Sequence, residues 1–215
     1  MTQNFNLGED ALTTKNLSGL LNSHFKYQVS EKSKEKILQR RESVEKIAAG
    51  KKSVYGINTG FGYLSDVQIP PEDIEKLQVN FLRSHACGVG DAIGSDIVKG
   101  MMLTKAHQFL MGHSGVSFPL IQQLLAYCEK DLVPYVPKQG SVGASGDLAP
   151  LSHMGLTLIG EGYFLNNGSK VPASQALEKH GLKALRLGPK EGLSIANGTH
   201  YMAVAAALLL SLIHI

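Results

Sequence analysis

Between residues 140 and 150 the chain reads Gly140-Ser141-Val142-Gly143-Ala144-Ser145-Gly146-Asp147-Leu148-Ala149-Pro150, a run in which the backbone itself can do chemistry. If the segment is bent tightly, the amide nitrogen of Gly146 reaches the carbonyl carbon of Ala144, and loss of water closes a five-membered ring. Loss of a second water removes the Ser145 hydroxyl and leaves an exocyclic methylene conjugated to the ring carbonyl. The product is an electron-poor alkene that no side chain supplies. Glycine at the attacking position lacks the Cβ that would block approach and reaches conformations closed to other residues, and Gly143 relieves the same crowding upstream. Small Ala144 keeps the attacked carbonyl open, and Ser145 brings the leaving hydroxyl. The run lacks the Gly-Lys-Ser/Thr ending of a phosphate-binding loop. It also has Asp147 where a nucleophile elbow around Ser145 needs glycine. The plain alternative is a flexible Gly-Ser loop.

The rest of the chain weighs against that alternative. Tyr55-Gly56-Ile57-Asn58-Thr59-Gly60-Phe61-Gly62, Ser84-His85-Ala86-Cys87-Gly88, the Ala144-Ser145-Gly146 segment and Asn197-Gly198-Thr199 follow one another along the chain. In order and spacing they resemble the motifs of the aromatic amino acid ammonia-lyase family, over about residues 54 to 206. The resemblance implies a 4-methylideneimidazole-5-one electrophile made from Ala144, Ser145 and Gly146, with no external cofactor. It implies that Tyr55 abstracts the substrate β-proton and that Asn197 stabilises negative charge on the ring. Ser84 and His85 fall where the family recognises the substrate ring, and Gly62 and Leu148 where it lines the pocket. A Ser-His pair there is similar to the histidine-specific members. The implied reaction is then non-oxidative deamination of L-histidine to trans-urocanate and ammonia, the first step of histidine degradation. The alternatives are another aromatic amino acid ammonia-lyase, an aminomutase of the same family, or a non-catalytic product.

Each of these residues has an ordinary reading as well. A tyrosine among glycines is commonly a packed loop aromatic, a helical histidine is commonly a satisfied one, and Asn-Gly is a common turn pair. A phenol titrates near about 10, so Tyr55 as a base needs help, and helix N-termini converging on the site would provide it. The other histidines form no His-Glu-x-x-His pattern, so no metal is expected. His153 reads as a supporting group rather than a base.

With 43% hydrophobic and 18% charged residues, the 215-residue chain can bury a sizeable core. The net charge of +3 is small, and the basic residues are not gathered on one face with aromatics, which argues against nucleic-acid binding. Two cysteines, Cys87 and Cys128, make no disulfide framework. With no secretory signal at the N-terminus, the cytoplasm is the expected compartment.

Helices must carry most of this chemistry. Residues 1 to about 25 are polar with weak periodicity. Ser30 to Ala49 reads as an amphipathic helix capped by Gly50. A second helix starts at Pro71-Glu72-Asp73 and runs toward His85. Two more cover Ser95 to Met111 and Pro119 to Cys128, and an irregular stretch covers Pro134 to Pro150. Gly155 to Gly162 is a short apolar segment. A hairpin turns at Asn166-Asn167-Gly168-Ser169, and Ala173 to His180 can form a short helix. From Tyr201 to Ile215 the chain is apolar on all faces. At about 22 Å this tail is short of the roughly 30 Å hydrocarbon core, so a buried bundle helix is expected rather than a membrane span.

The fold class expected is mainly α: the N-terminal part of an ammonia-lyase-type helical fold, with a glycine-rich active-site loop region. Residues 1–198 would form the active-site-loop domain and residues 199–215 the start of a truncated central bundle. The resemblance implies a longer parent chain, a homotetramer whose sites draw on three subunits, and further substrate-binding residues outside this chain. The 215 residues alone would then be inactive.

Overall fold

The computed structural model describes residues 3–22, 25–143 and 146–213, so Ala144 and Ser145 lie outside the described residues. The N-terminal stretch holds a small unit that its weak periodicity does not announce. β1 (Gln3–Asn6) and β2 (Phe25–Gln28) pair in parallel, and α1 (Thr14–Leu21) lies between them in the chain. The Thr13 hydroxyl caps α1 by accepting from the Asn16 amide at 3.2 Å, and Leu17 and Leu20 turn inward. Eight residues are too few for a clear helical period.

The next helix follows its sequence signals closely. α2 (Glu31–Ala48) starts at Ser30, whose hydroxyl accepts from the Ser33 amide, and buries Ile37, Arg41, Val44 and Ala48 along one face. Its cap is Ala49 in a right-handed conformation, with Gly50 one residue further on. The expected capping glycine is thus displaced by one. α3 (Ile74–His85) is entered through a 3-10 turn over Pro71–Asp73. α4 (Ser95–Leu110) and α5 (Phe118–Glu129) form the centre, where Val98, Met101, Met102, Ala106, Ile121 and Leu124 are sealed from solvent.

Short strands tie the periphery. β3 (Val89–Ala92) pairs antiparallel with β5 (Pro137–Gln139), and β4 (Val133–Pro134) joins the hairpin of β6 (Tyr163–Asn166) and β7 (Ser169–Pro172). The hairpin turn uses positive φ at Asn167 and Gly168, the pattern a two-residue loop between twisted strands requires. α7 (Ala173–Lys179) follows, then α8 (Glu191–Ala196) and α9 (His200–Ile213).

Two further stretches differ from expectation. Residues read as irregular up to Pro150 and as a separate apolar segment from Gly155 are joined in one helix, α6 (Leu148–Leu158). Pro150 sits in its first turn, where a missing N–H costs nothing. α9 is apolar but is not buried all round. His200 and Val204 are buried, whereas Ala203, Ala206, Leu209 and Leu210 face outward. Residues 191–210 are long and apolar enough to pass for a membrane span by length and composition. The helix nevertheless breaks at residues 197–199, and the 14 residues of α9 rise only about 21 Å.

The junction that matters most is where α3, α6 and α8 meet. A Cβ on Gly155 of α6 would stand 2.7 Å from Ile195 Cγ2 and 3.0 Å from Leu82 Cδ2. A Cβ on Gly192 of α8 would stand 2.4 Å from the main-chain oxygen of Gln78. Alanine favours a helix over glycine by about 1 kcal/mol, so with free space both substitutions would stabilise. We expect Gly155→Ala to destabilise by roughly 1–3 kcal/mol, and Gly192→Ala by more, because it meets backbone rather than a side chain that can turn. Chemical denaturation measures both, and a gain in either would refute the close approach.

Candidate active site

A cavity of about 600 Å³ opens between this helix junction and the loop after α2, lined by Tyr55, Phe61, Gly62, Phe81, Ser84, His85, Leu148, Leu193 and Asn197 among others. Six of the residues singled out in the sequence therefore meet here: Tyr55, Gly62, Ser84, His85, Leu148 and Asn197. Gly146 lies two residues before Leu148, on the strap that leads into α6. Grooves of similar size beside Pro71 and Arg186 and beside Tyr27 and Lys99 gather no comparable set of groups.

Tyr55 is carried by a loop with its own polar skeleton. Buried Asn58 accepts from the Val54 amide through Oδ1 at 2.8 Å and donates through Nδ2 to the Lys52 carbonyl at 3.0 Å. Buried Thr59 accepts from the Gly56 amide at 3.3 Å and donates to the Gly60 carbonyl at 3.0 Å. Gly56, at φ +73°, lies against α8, where a Cβ would stand too close to Leu193. The loop thus leaves Tyr55 more than half exposed, with its ring edge-on to Phe61 at 6.2 Å. From Phe61 the aromatic contact continues to Phe81 at 4.5 Å and on to His85 at 4.2 Å.

The hydrogen bonds assign the His85 tautomer. Nδ1 lies 2.8 Å from the Phe81 carbonyl and 3.0 Å from Ser84 Oγ, while Ser84 donates its own proton to that carbonyl at 3.0 Å. A carbonyl only accepts, so Nδ1 carries a proton, and the neutral tautomer of this geometry has its lone pair on Nε2. Ser84 is thereby occupied in orienting His85.

The helix ends around the cavity are mixed. α6 presents its N-terminus through Leu148, whereas α3 and α8 end there at His85 and Asn197. Among the described residues one N-terminus, that of α6, meets the cavity beside two C-termini, where converging N-termini were expected. The negative ends of helices favour a cation rather than a phenolate.

The glycine strap is anchored by Asp147, a residue the sequence reading passed over. Its carboxylate is fully buried and accepts from the Ser141 hydroxyl at 2.7 Å and from the Met202 amide in the first turn of α9 at 3.0 Å. Its own amide donates to the Gly198 carbonyl at 2.8 Å. The only sequence signal was an acidic residue just before a helix. Gly146 takes φ +98°, and a Cβ on it would press on Gly198 O at 2.9 Å. Val142 and Gly146 pair in an isolated antiparallel bridge. A left-handed Gly146 with no room for a Cβ fits a ring closed through its nitrogen.

Beyond the cavity, the His153 Nε2 accepts from the Gly88 amide at 3.0 Å, a supporting role. Among the described residues no group of three or more His, Cys, Asp and Glu side chains could hold a metal ion. His200, at the start of α9, is depressed to about 3, first by burial and then by the charge of Lys105.

The comparisons with known proteins follow this geometry. A family model described as aromatic amino acid lyase matches residues 12–214. A histidine ammonia-lyase of Bacillus subtilis (strain 168) is 46% identical over 196 residues, 91% of this chain and 39% of the relative. Among solved structures, a histidine ammonia-lyase from Trypanosoma cruzi superposes with a TM-score of 0.85 at 33% identity, over 96% of this chain and 40% of its own. A tyrosine aminomutase from Streptomyces globisporus gives 0.89 at 33% identity, over 96% and 39%. The chain therefore spans about two fifths of the length of these relatives.

Two outcomes follow from the site's framework. Asn58→Ala strands the Val54 amide, at an expected cost of about 1–3 kcal/mol, and speeds hydrogen exchange of that amide relative to the helices. For His200, an unfolded chain binds a proton near pH 6.5 whereas the folded chain resists until about pH 3. The unfolded state holds more protons in that window, so stability is lost as pH falls through it. His200→Gln should flatten this acid limb in pH-dependent melting, and an unchanged limb would refute the assignment.

Proposed function

The chain belongs to the aromatic amino acid lyase family, and from that premise we propose that it forms part of a histidine ammonia-lyase, releasing ammonia from L-histidine to leave trans-urocanate. The observation that carries the reading is the cavity that brings Tyr55, Ser84, His85, Leu148 and Asn197 to one place beside the glycine strap.

On this reading His85 recognises the substrate ring. Its Nε2 lone pair takes a hydrogen bond from an imidazole N–H, and a phenyl ring leaves it unpaired, which costs selectivity-determining free energy. Leu148 and the Phe61–Phe81 stack cover the ring's faces. Tyr55 is placed to take the β-proton, and the Asn197 amide to donate to negative charge at the ring carbonyl. The 4-methylideneimidazole-5-one from Ala144, Ser145 and Gly146 would supply an electron-poor alkene that turns the substrate amine into a better leaving group. The part of this chain's residues is to hold the ring, orient it and accept the proton.

A phenol O–H can also donate to Nε2, so an enzyme of tyrosine-like substrates within the family, an aminomutase included, is the second reading. The 46% identity to the Bacillus subtilis histidine ammonia-lyase supports histidine, whereas the solved histidine ammonia-lyase and tyrosine aminomutase both match at 33% and do not discriminate. Because the relatives are far longer, the reading includes further residues from other chain segments, a homotetrameric assembly and no turnover by these residues alone.

Peptide mapping tests the electrophile directly. The segment holding residues 144–146 should be lighter by two waters, about 36 Da, and an unmodified mass would refute it. Titration with L-histidine, followed by NMR, should shift His85 and Ser84 signals more than L-tyrosine or L-phenylalanine does. In whichever assembly turns histidine over, Tyr55→Phe should lower urocanate release by roughly 10²–10⁴-fold and leave the dehydrated mass intact.

A further inference from the structure

Lys105 sits in the middle of α4 with 1% of its surface exposed, a place where an ammonium is almost never found without a partner. Among the described residues no carboxylate pairs with it. Its Nζ donates to the main-chain carbonyl of Asn197 at 2.5 Å and stands 5.0 Å from the centre of the Phe109 ring. Burial pulls its titration down to about 7, so the group is costly where it is. An apolar side chain would fill the contact between α4 and α9 at lower desolvation cost. Core stability is therefore a poor reason for this lysine.

What the ammonium grips gives a better reason. Asn197 ends α8, where helix carbonyls lack partners and the negative end of the helix lies. The next residue, Gly198, has φ +143°, and a Cβ there would strike the His200 ring at 2.5 Å with Lys105 Nζ 3.5 Å away. Its carbonyl is the acceptor for the Asp147 amide. One short turn thus sets Asn197 at the cavity wall, its Nδ2 donating to the Leu193 carbonyl at 2.8 Å, and seats the glycine strap through Gly198.

We propose that Lys105 is a positioning residue for this site: by fixing the Asn197 carbonyl, its buried ammonium sets the 197–199 turn that aims the Asn197 amide and docks the strap at Gly146 and Asp147. The part played by Asn197 rests on the lyase reading above, whereas the docking of the strap rests on geometry alone.

Lys105→Met keeps the length of the stem and its contact with Phe109 but removes the donor. With folding verified by circular dichroism, the Asp147 amide should exchange at least about tenfold faster, a change of roughly 1.4 kcal/mol, while amides in the middle of α4 and α6 are unchanged. The doubly dehydrated fraction of residues 144–146 should fall by a similar factor. Lys105→Gln, which restores a neutral donor, should recover part of both. A lysine that merely fills space would lower the melting temperature in Lys105→Met without singling out Asp147, and that result overturns the proposal. If Lys105→Met does not fold, Lys105→Gln carries the same two measurements against wild type, with a smaller shift in the same direction expected and no shift overturning it. The two readings fail separately. A wild-type chain that never dehydrates refutes the electrophile while Asp147 exchange still judges Lys105. A wild-type chain that dehydrates, with Lys105→Met matching it in both measurements, refutes Lys105 alone.

Discussion

The close approach of α3, α6 and α8 is the constraint on which the site depends. At Gly155 and Gly192 the helices come nearer than any Cβ would allow, and each of the three ends at the cavity wall: α3 with Ser84 and His85, α6 with Leu148, α8 with Leu193 and Asn197. Rigid helices crossing through glycine contacts fix their ends relative to one another, since packed interiors do not deform continuously. The Tyr55 loop has no helix of its own. It borrows this rigidity through Gly56, which lies against Leu193 of α8, and through the internal hydrogen bonds of Asn58 and Thr59.

A second layer of order comes from buried polar groups rather than from packing. Asp147 joins three chain segments: it accepts from Ser141 before the strap, accepts from Met202 in α9, and donates to Gly198 between α8 and α9. Lys105 reaches the same turn through the Asn197 carbonyl. Charged groups held this far from water are costly unless their hydrogen bonds are made, so the turn between α8 and α9 has little freedom to drift. The left-handed Gly146 is held by neighbours distant in sequence, Gly198 among them.

Much of the fold could be read along the chain because its signals are local. The apolar period of the helix from Ser30, the Pro71 start of the helix toward His85 and the Asn167-Gly168 hairpin turn each act within a few residues. The failures have physical reasons too. α1 is too short to show a period, and α6 was split because Pro150 and Gly155 read as breakers. In the structure the proline occupies a harmless first-turn position and the glycine is a contact point. α9 looked like a core helix because composition reports apolarity and not what covers it; α4 covers one side, with Val204 packed over Gly100.

The amino-acid sequence by itself determined which groups are available for chemistry: a dehydratable Ala144-Ser145-Gly146 segment, a phenol at Tyr55, an imidazole at His85 and an amide at Asn197. These depend on residue type and spacing, which the chain carries openly. Only the tertiary structure decided that Tyr55, Ser84, His85, Leu148 and Asn197 face one cavity. It alone decided that Asp147 and Lys105 hold the turn that seats the strap. Those outcomes rest on contacts between residues tens of positions apart, and a buried lysine or aspartate looks in sequence like any exposed one until the helices around it close.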